Sequence, residues 1–120
     1  MKTIQWIKHR VNQIEALSAV DPAWGVEIDL RSSIGEPGKI HLSHDPWVRG
    51  DDFERWLERF VELKIQGTII LNTKEEALEA RALELLKQHQ LAHYFFLDTA
   101  FPTLLKRSFV QSEPHFAVRL

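Results

Sequence analysis

With 120 residues, 44% of them hydrophobic and 27% charged, the chain has the composition of a single globular domain spanning 1–120. Its formal net charge of -2, with Lys and Arg interleaved among acids, offers no basic stripe for nucleic acid. Cysteine is absent, which excludes disulfides and thiolate-held metals and leaves oxygen and imidazole as the available ligands.

The first residues, Met1 to Arg10, lack the continuous apolar stretch of a signal peptide. No window reaches the roughly 18 apolar residues of a membrane span. A soluble, cytoplasmic protein is therefore expected.

Ile4 to Lys8 is a short apolar-rich run that predicts a first strand. Val11, Ile14, Leu17 and Val20 follow at near-helical spacing, and Asp21-Pro22 stops them. Val26, Ile28 and Leu30 then alternate with Glu27, Asp29 and Arg31, the period-two pattern of a strand. Gly35, Pro37 and Gly38 make a turn, and Lys39 to Ser43 returns as the second arm of a hairpin. Asp51-Asp52 open a helix that runs through Phe53, Trp56, Leu57, Phe60 and Val61 to Lys64, its acidic start matched to the positive end of the dipole. Beyond Gly67, Thr68 to Leu71 predicts a buried strand and Lys74 to Gln90 a helix with Ala77, Leu78, Ala82, Leu85 and Leu86 inward. Tyr94 to Leu97 reads as a strand, Phe101 to Phe109 as a short helix, and His115 to Leu120 as a last strand. This alternation predicts an α/β fold with a parallel sheet and right-handed crossovers.

Polar residues gather where these strands end. His9 and Arg10 close the first, Glu27 and Asp29 the second, His44 and Asp45 the hairpin arm, Asn72 and Lys74 the next parallel strand, and Asp98 the one after. In parallel α/β folds the C-terminal strand ends share one face, where substrates bind. Glu27 and Asp29, two apart on a strand, point to the same side. Two such carboxylates repel unless a cation intervenes. That cation is either a divalent ion such as Mg²⁺ or Ca²⁺ or the side chains of Arg31, Arg10 and Lys74 in an ion network. His9 and His44, near the same mouth, suit proton transfer, one taking a proton from an attacking oxygen and the other protonating a leaving alkoxide. Arg10 and Lys74 suit neutralisation of phosphate oxygens. His41 falls on the other face of its strand and reads as structural, and His89 and His93 flank a helix end. Trp47, just after His44-Asp45-Pro46, either packs or lines a substrate pocket.

The residues His9-Arg10, Gly25-Val26-Glu27-Ile28-Asp29-Leu30-Arg31 and Leu42-Ser43-His44-Asp45-Pro46, in that order and spacing, resemble the glycerophosphodiester phosphodiesterase family, among the barrel phosphodiesterases that include phosphatidylinositol-specific phospholipases C. The resemblance implies a (β/α) barrel of the TIM type, a Mg²⁺ or Ca²⁺ ion held by Glu27 and Asp29, and His9 and His44 as the acid–base pair. It places Arg10 near the phosphate, with hydrolysis of a glycerophosphodiester to glycerol phosphate and an alcohol. Three departures stand out. Val11-Asn12 follow His-Arg where the family has Gly, and Asn72, two before Lys74, stands where the family has a metal-binding Glu. An amide carbonyl can serve as the third ligand, but it adds no charge. The third departure is length. A full barrel needs about 200 residues or more, and this chain supplies about five strands, leaving Phe116 and Val118 on a sheet edge. A fragment, a homo-oligomer closing through that edge, and an open sheet are all consistent with the sequence, as is a non-catalytic relative serving as a binding or assembly module.

Overall fold

The computed structural model describes residues 6–75 and 77–97. Its elements in chain order are β1 (Ile7–Lys8), a 3-10 helix (Ile14–Ala19), β2 (Gly25–Ser32), β3 (Ile40–Leu42), β4 (Asp51–Asp52), α1 (Phe53–Glu62), β5 (Ile69–Thr73), α2 (Glu79–Gln88) and β6 (Tyr94–Leu97). They form a mixed α/β fold on one six-stranded sheet. The expected helix at 101–109, the strand at 115–120 with its edge, and Asp98 lie outside the described residues.

β2 is the axis of the sheet. β5 runs parallel along one side of it, from Val26 opposite Ile69 to Leu30 opposite Thr73, and β6 extends the parallel set beyond β5. The other side is shared: parallel β1 covers Gly25 and Val26, while antiparallel β3 covers Leu30 to Ser32, with β4 outside it. Among the described residues the sheet is open, with β4 and β6 at its two ends. β2 thus runs past Glu27 and Asp29, which lie mid-strand rather than at its end. On the β1 side the parallel pairing ends before them, and from the Asp29 carbonyl, which accepts from Ser43 N–H, the hairpin takes over, while β5 stays parallel to Leu30.

Alternation along β2 divides the molecule. Val26, Ile28 and Leu30 are fully buried, and with Leu42, Ile69 and Leu71 they meet Phe53, Trp56, Leu57 and Phe60 of α1 and Leu86 of α2 in one core cluster. Each such side chain contributes about 1.5–3 kcal/mol. Trp56 also donates its indole N–H to the Val11 carbonyl at 2.9 Å, tying α1 to the chain after β1. Gly67 is required by a close approach: a Cβ there would lie 1.9 Å from the Trp24 carbonyl oxygen.

Several boundaries differ from expectation. The helix expected over 11–20 is a single 3-10 helix, because Val11 instead donates its N–H to the Glu27 carbonyl and continues alongside β2. Asp51 and Asp52 form β4 against β3, and Asp52 caps α1 by accepting from the Arg55 N–H. α2 begins at Glu79, not Lys74, because Lys74 donates its backbone N–H to the Leu30 carbonyl and Ala77, expected to point inward, is exposed with a left-handed φ of 67°. Among the described residues, no helix is long and apolar enough to cross a membrane.

Candidate functional site

His9, Arg10, Glu27, Asp29, His44, Asn72 and Lys74 line one cleft of about 320 Å³. They come from four chain segments, and they are the residues singled out from the sequence. Strand register explains the convergence. Asp29 stands opposite Asn72 across β2 and β5, so both side chains project from the same face, with Glu27 two residues back.

The floor of the cleft is buried and tightly held. Asp29 is 1% exposed. Asn12 Nδ2 donates to Asp29 Oδ2 at 3.0 Å, the Asp29 N–H donates to Asn12 Oδ1 at 2.9 Å, and Lys74 Nζ lies 3.6 Å from Asp29 Oδ1. Asn12, set down in the sequence as part of a departure from the family, is thus the residue that orients Asp29. Asn72 is 5% exposed, and its Oδ1 accepts no hydrogen bond among the described residues. A buried amide oxygen without a donor is costly, so its position beside two carboxylates needs an explanation.

The rim is exposed and held more loosely. His9 Nδ1 lies 3.3 Å from Glu27 Oε1, and His44 Nδ1 lies 3.5 Å from Asp45 Oδ1, so each imidazole leans on a carboxylate through one nitrogen. Arg10 has a left-handed backbone, φ 52°. That conformation is uncommon outside glycine and costs on the order of 1 kcal/mol or more. Where the family resemblance calls for Gly at the next position, this chain takes its sharp turn at Arg10 itself.

Arg31 is the residue that sequence reasoning undervalued. It is buried on the cleft side of β2; its Nε donates to the Ser43 carbonyl at 3.0 Å and its NH2 to the His44 carbonyl at 2.6 Å. Behind it, Glu75 Oε1 lies 3.9 Å away, and the Ser32 hydroxyl donates to Glu75 Oε2. Arg31 therefore fixes the backbone that carries His44 and does not neutralise Glu27 and Asp29, as the ion-network alternative allowed. Its alternation with Asp29 was a visible signal, but its partners depend on the pairing of β2 with β3.

His41 is also placed differently from expectation. The register sets it opposite Arg31, hence on the face of the sheet that bears Asp29. Its Nδ1 is 3.2 Å from the Ser33 hydroxyl. Burial, and then the Arg49 charge, hold its ionisation below the ordinary imidazole value. On the surface, Arg49 pairs with Glu36 at 2.8 Å, lowering the Glu36 carboxyl and raising the guanidinium. His89 caps α2, its Nδ1 2.8 Å from the Leu85 carbonyl, and lies away from the cleft with His93.

Among the described residues, no group of three or more His, Asp or Glu is arranged to hold a metal ion. The donor chemistry nevertheless suits a hard divalent cation: two carboxylates on one face and an amide oxygen with no other bond, all oxygen ligands. Lys74 already sits against Asp29 and would have to share it. The cleft's fixed charges balance, Arg10 and Lys74 against Glu27 and Asp29.

No protein-family model and no curated protein matches the sequence. A crystal structure of a glycerophosphodiester phosphodiesterase from Parabacteroides distasonis superposes with a TM-score of 0.72 at 15% identity, over 95% of this chain and 63% of that one. At that identity the likeness is one of fold. The chain spans less than two thirds of the matched protein, and what it shares with it is the α/β scaffold on which the cleft is built.

Proposed function

We propose that this chain is the leading part of a (β/α)-barrel phosphodiesterase that hydrolyses glycerophosphodiesters. One observation carries the reading: His9, Arg10, Glu27, Asp29, His44, Asn72 and Lys74, scattered over more than sixty positions, line a single cleft. The fold shared with a glycerophosphodiester phosphodiesterase supports it.

In this reading Arg10 and Lys74 bind the phosphate oxygens and offset charge as it builds. His9, leaning through Nδ1 on Glu27, presents Nε2 to take the proton of the attacking water. His44, leaning on Asp45, delivers a proton from Nε2 to the departing alcohol oxygen. Asn12 and Arg31 do no chemistry; they hold Asp29 and the His44 backbone in place. Glu27, Asp29 and the Asn72 amide oxygen would hold Mg²⁺ or Ca²⁺. When bound, such an ion supplies positive charge against the phosphate oxygens.

The test is release of p-nitrophenolate from bis(p-nitrophenyl) phosphate, and of choline from glycerophosphocholine, with Mg²⁺ or Ca²⁺ added. Cation-dependent turnover that disappears in Glu27→Gln and Asp29→Asn is the expected result. A second reading, a non-catalytic binding module, draws on one observation: Asn72 supplies an uncharged ligand where the family resemblance calls for Glu. Cation binding that those two substitutions abolish, with no hydrolysis in the parent chain, would select it.

A further inference from the structure

A second cavity is lined by the segment that follows His44 in the chain. His44 lines the cleft, and Pro46 lines a separate cavity of about 190 Å³. Successive Cα atoms are about 3.8 Å apart, so the Cα atoms of His44 and Pro46 lie within about 8 Å of each other. The turn between them is fixed: Ser43 Oγ donates to the Asp45 carbonyl at 2.8 Å, and that carbonyl also accepts from Val48 N–H at 3.3 Å.

The apolar walls of this cavity are Ile34, Pro46, Trp47 and Val48. Ile34 is 96% and Trp47 93% exposed. Single exposed apolar side chains need no explanation. Here, however, three of the five large apolar side chains exposed among the described residues border one cavity beside the candidate site. The remaining wall is polar. His41 is 9% exposed, and its buried Nε2 has no hydrogen-bond partner of ordinary geometry among the described residues, although the Val48 backbone comes near. Burial and the nearby Arg49 charge favour the neutral ring, in which Nε2 offers one donor or one acceptor according to the direction of the Ser33 hydroxyl. Arg49, on the wall, is matched by Glu36, and among the described residues no carboxylate lines the cavity to attract a cationic head group.

A dry cavity of about 150 Å³ accepts benzene, so this one has room for a single ring or a short branched chain. Mostly apolar walls with one or two convergent polar groups are the usual make-up of a small-molecule site. We propose that the cavity is the leaving-alcohol subsite of the cleft and takes an uncharged alcohol whose apolar body is about one ring in size. The assignment rests on the phosphodiesterase reading, because the alcohol oxygen that receives the His44 proton must lie on His44's side of phosphorus.

Two measurements on the full chain test it. In the first, benzyl alcohol is titrated into ¹⁵N-labelled protein and the four indole N–H signals are followed, with Trp47→Ala identifying Trp47. A saturable shift at Trp47, with Trp6, Trp24 and Trp56 unmoved, is expected. In the second, the benzyl and methyl diesters of glycerol phosphate are compared as substrates. The benzyl diester should have a kcat/KM higher by about tenfold or more, and both Trp47→Ala and Ile34→Ser should bring the ratio toward one. Equal turnover of the two diesters with no response at Trp47 overturns the subsite and leaves the hydrolase reading standing. Preference for a choline diester over the benzyl diester also overturns it. A saturable Trp47 shift without turnover of either diester removes the hydrolase reading and keeps the cavity as an alcohol-binding site.

Discussion

The floor and the rim of the cleft are built on different terms. On the floor, Asp29 and Asn72 face each other across paired strands and are almost wholly buried, so the sheet itself sets their spacing. On the rim, His9 and His44 stand on segments just past strand ends, exposed, each with a single carboxylate neighbour. Strand register is shared with the core and cannot shift without moving Val26, Ile28 and Leu30 as well. Rim positions carry no such obligation. Substitutions on the floor should therefore disturb folding and binding together, whereas those on the rim should disturb turnover alone.

The largest expected effect lies on the rim. His9→Ala or His44→Ala should each lower the hydrolysis rate by about 10²–10⁴-fold. The thermal midpoint should stay that of the parent; a fallen midpoint would erase the distinction between rim and floor. Asp29→Ala should destabilise the fold by about 2–3 kcal/mol in a denaturant titration, since it strands Asn12 and Lys74. An unchanged midpoint there would mean that the floor is not structural. Asn72→Glu adds a third carboxylate beside Asp29 and should tighten Mg²⁺ or Ca²⁺ binding about tenfold by calorimetry. Unaltered affinity would detach Asn72 from the cation site.

The smallest effect concerns His41, on the same face of the sheet but outside the cleft. Burial, and then the Arg49 charge, hold its folded-state ionisation below the ordinary imidazole value of about 6.5, so the unfolded chain binds the extra proton more readily. Stability from this source is complete above about pH 6.5 and is lost as the pH falls toward the folded value. Unfolding midpoints of His41→Gln and the parent, compared at about pH 7 and pH 5, should show the shallower loss in the variant. Equal losses would discount burial of the ring.

Much of the floor was legible in the sequence because alternation is a local signal. Val26, Ile28 and Leu30 declared one face of β2, and Glu27 and Asp29 could only take the other. The meeting of His9 and Lys74 with that face followed from the rule for parallel strand ends, whereas His44 reaches it through the antiparallel return of the hairpin, which brings Ser43 to Asp29. What could not be read depends on partners far along the chain. Lys74 to Leu78 has a helical composition, yet Lys74 is drawn to Leu30 and Asp29, and Glu75 to Ser32, so the helix starts later. Asn12 and Arg31 look unremarkable until β2 is paired with its neighbours. The position of His41 depended on the same pairing.

The grip of Arg31 on the Ser43 and His44 carbonyls has a consequence for how such a protein can diversify. It anchors the segment bearing His44 to the inner strand, so the far end of the hairpin, with Ile34, is spared from holding His44 in place. That tip can then be lengthened, shortened or recoloured by mutation while His44 stays in register.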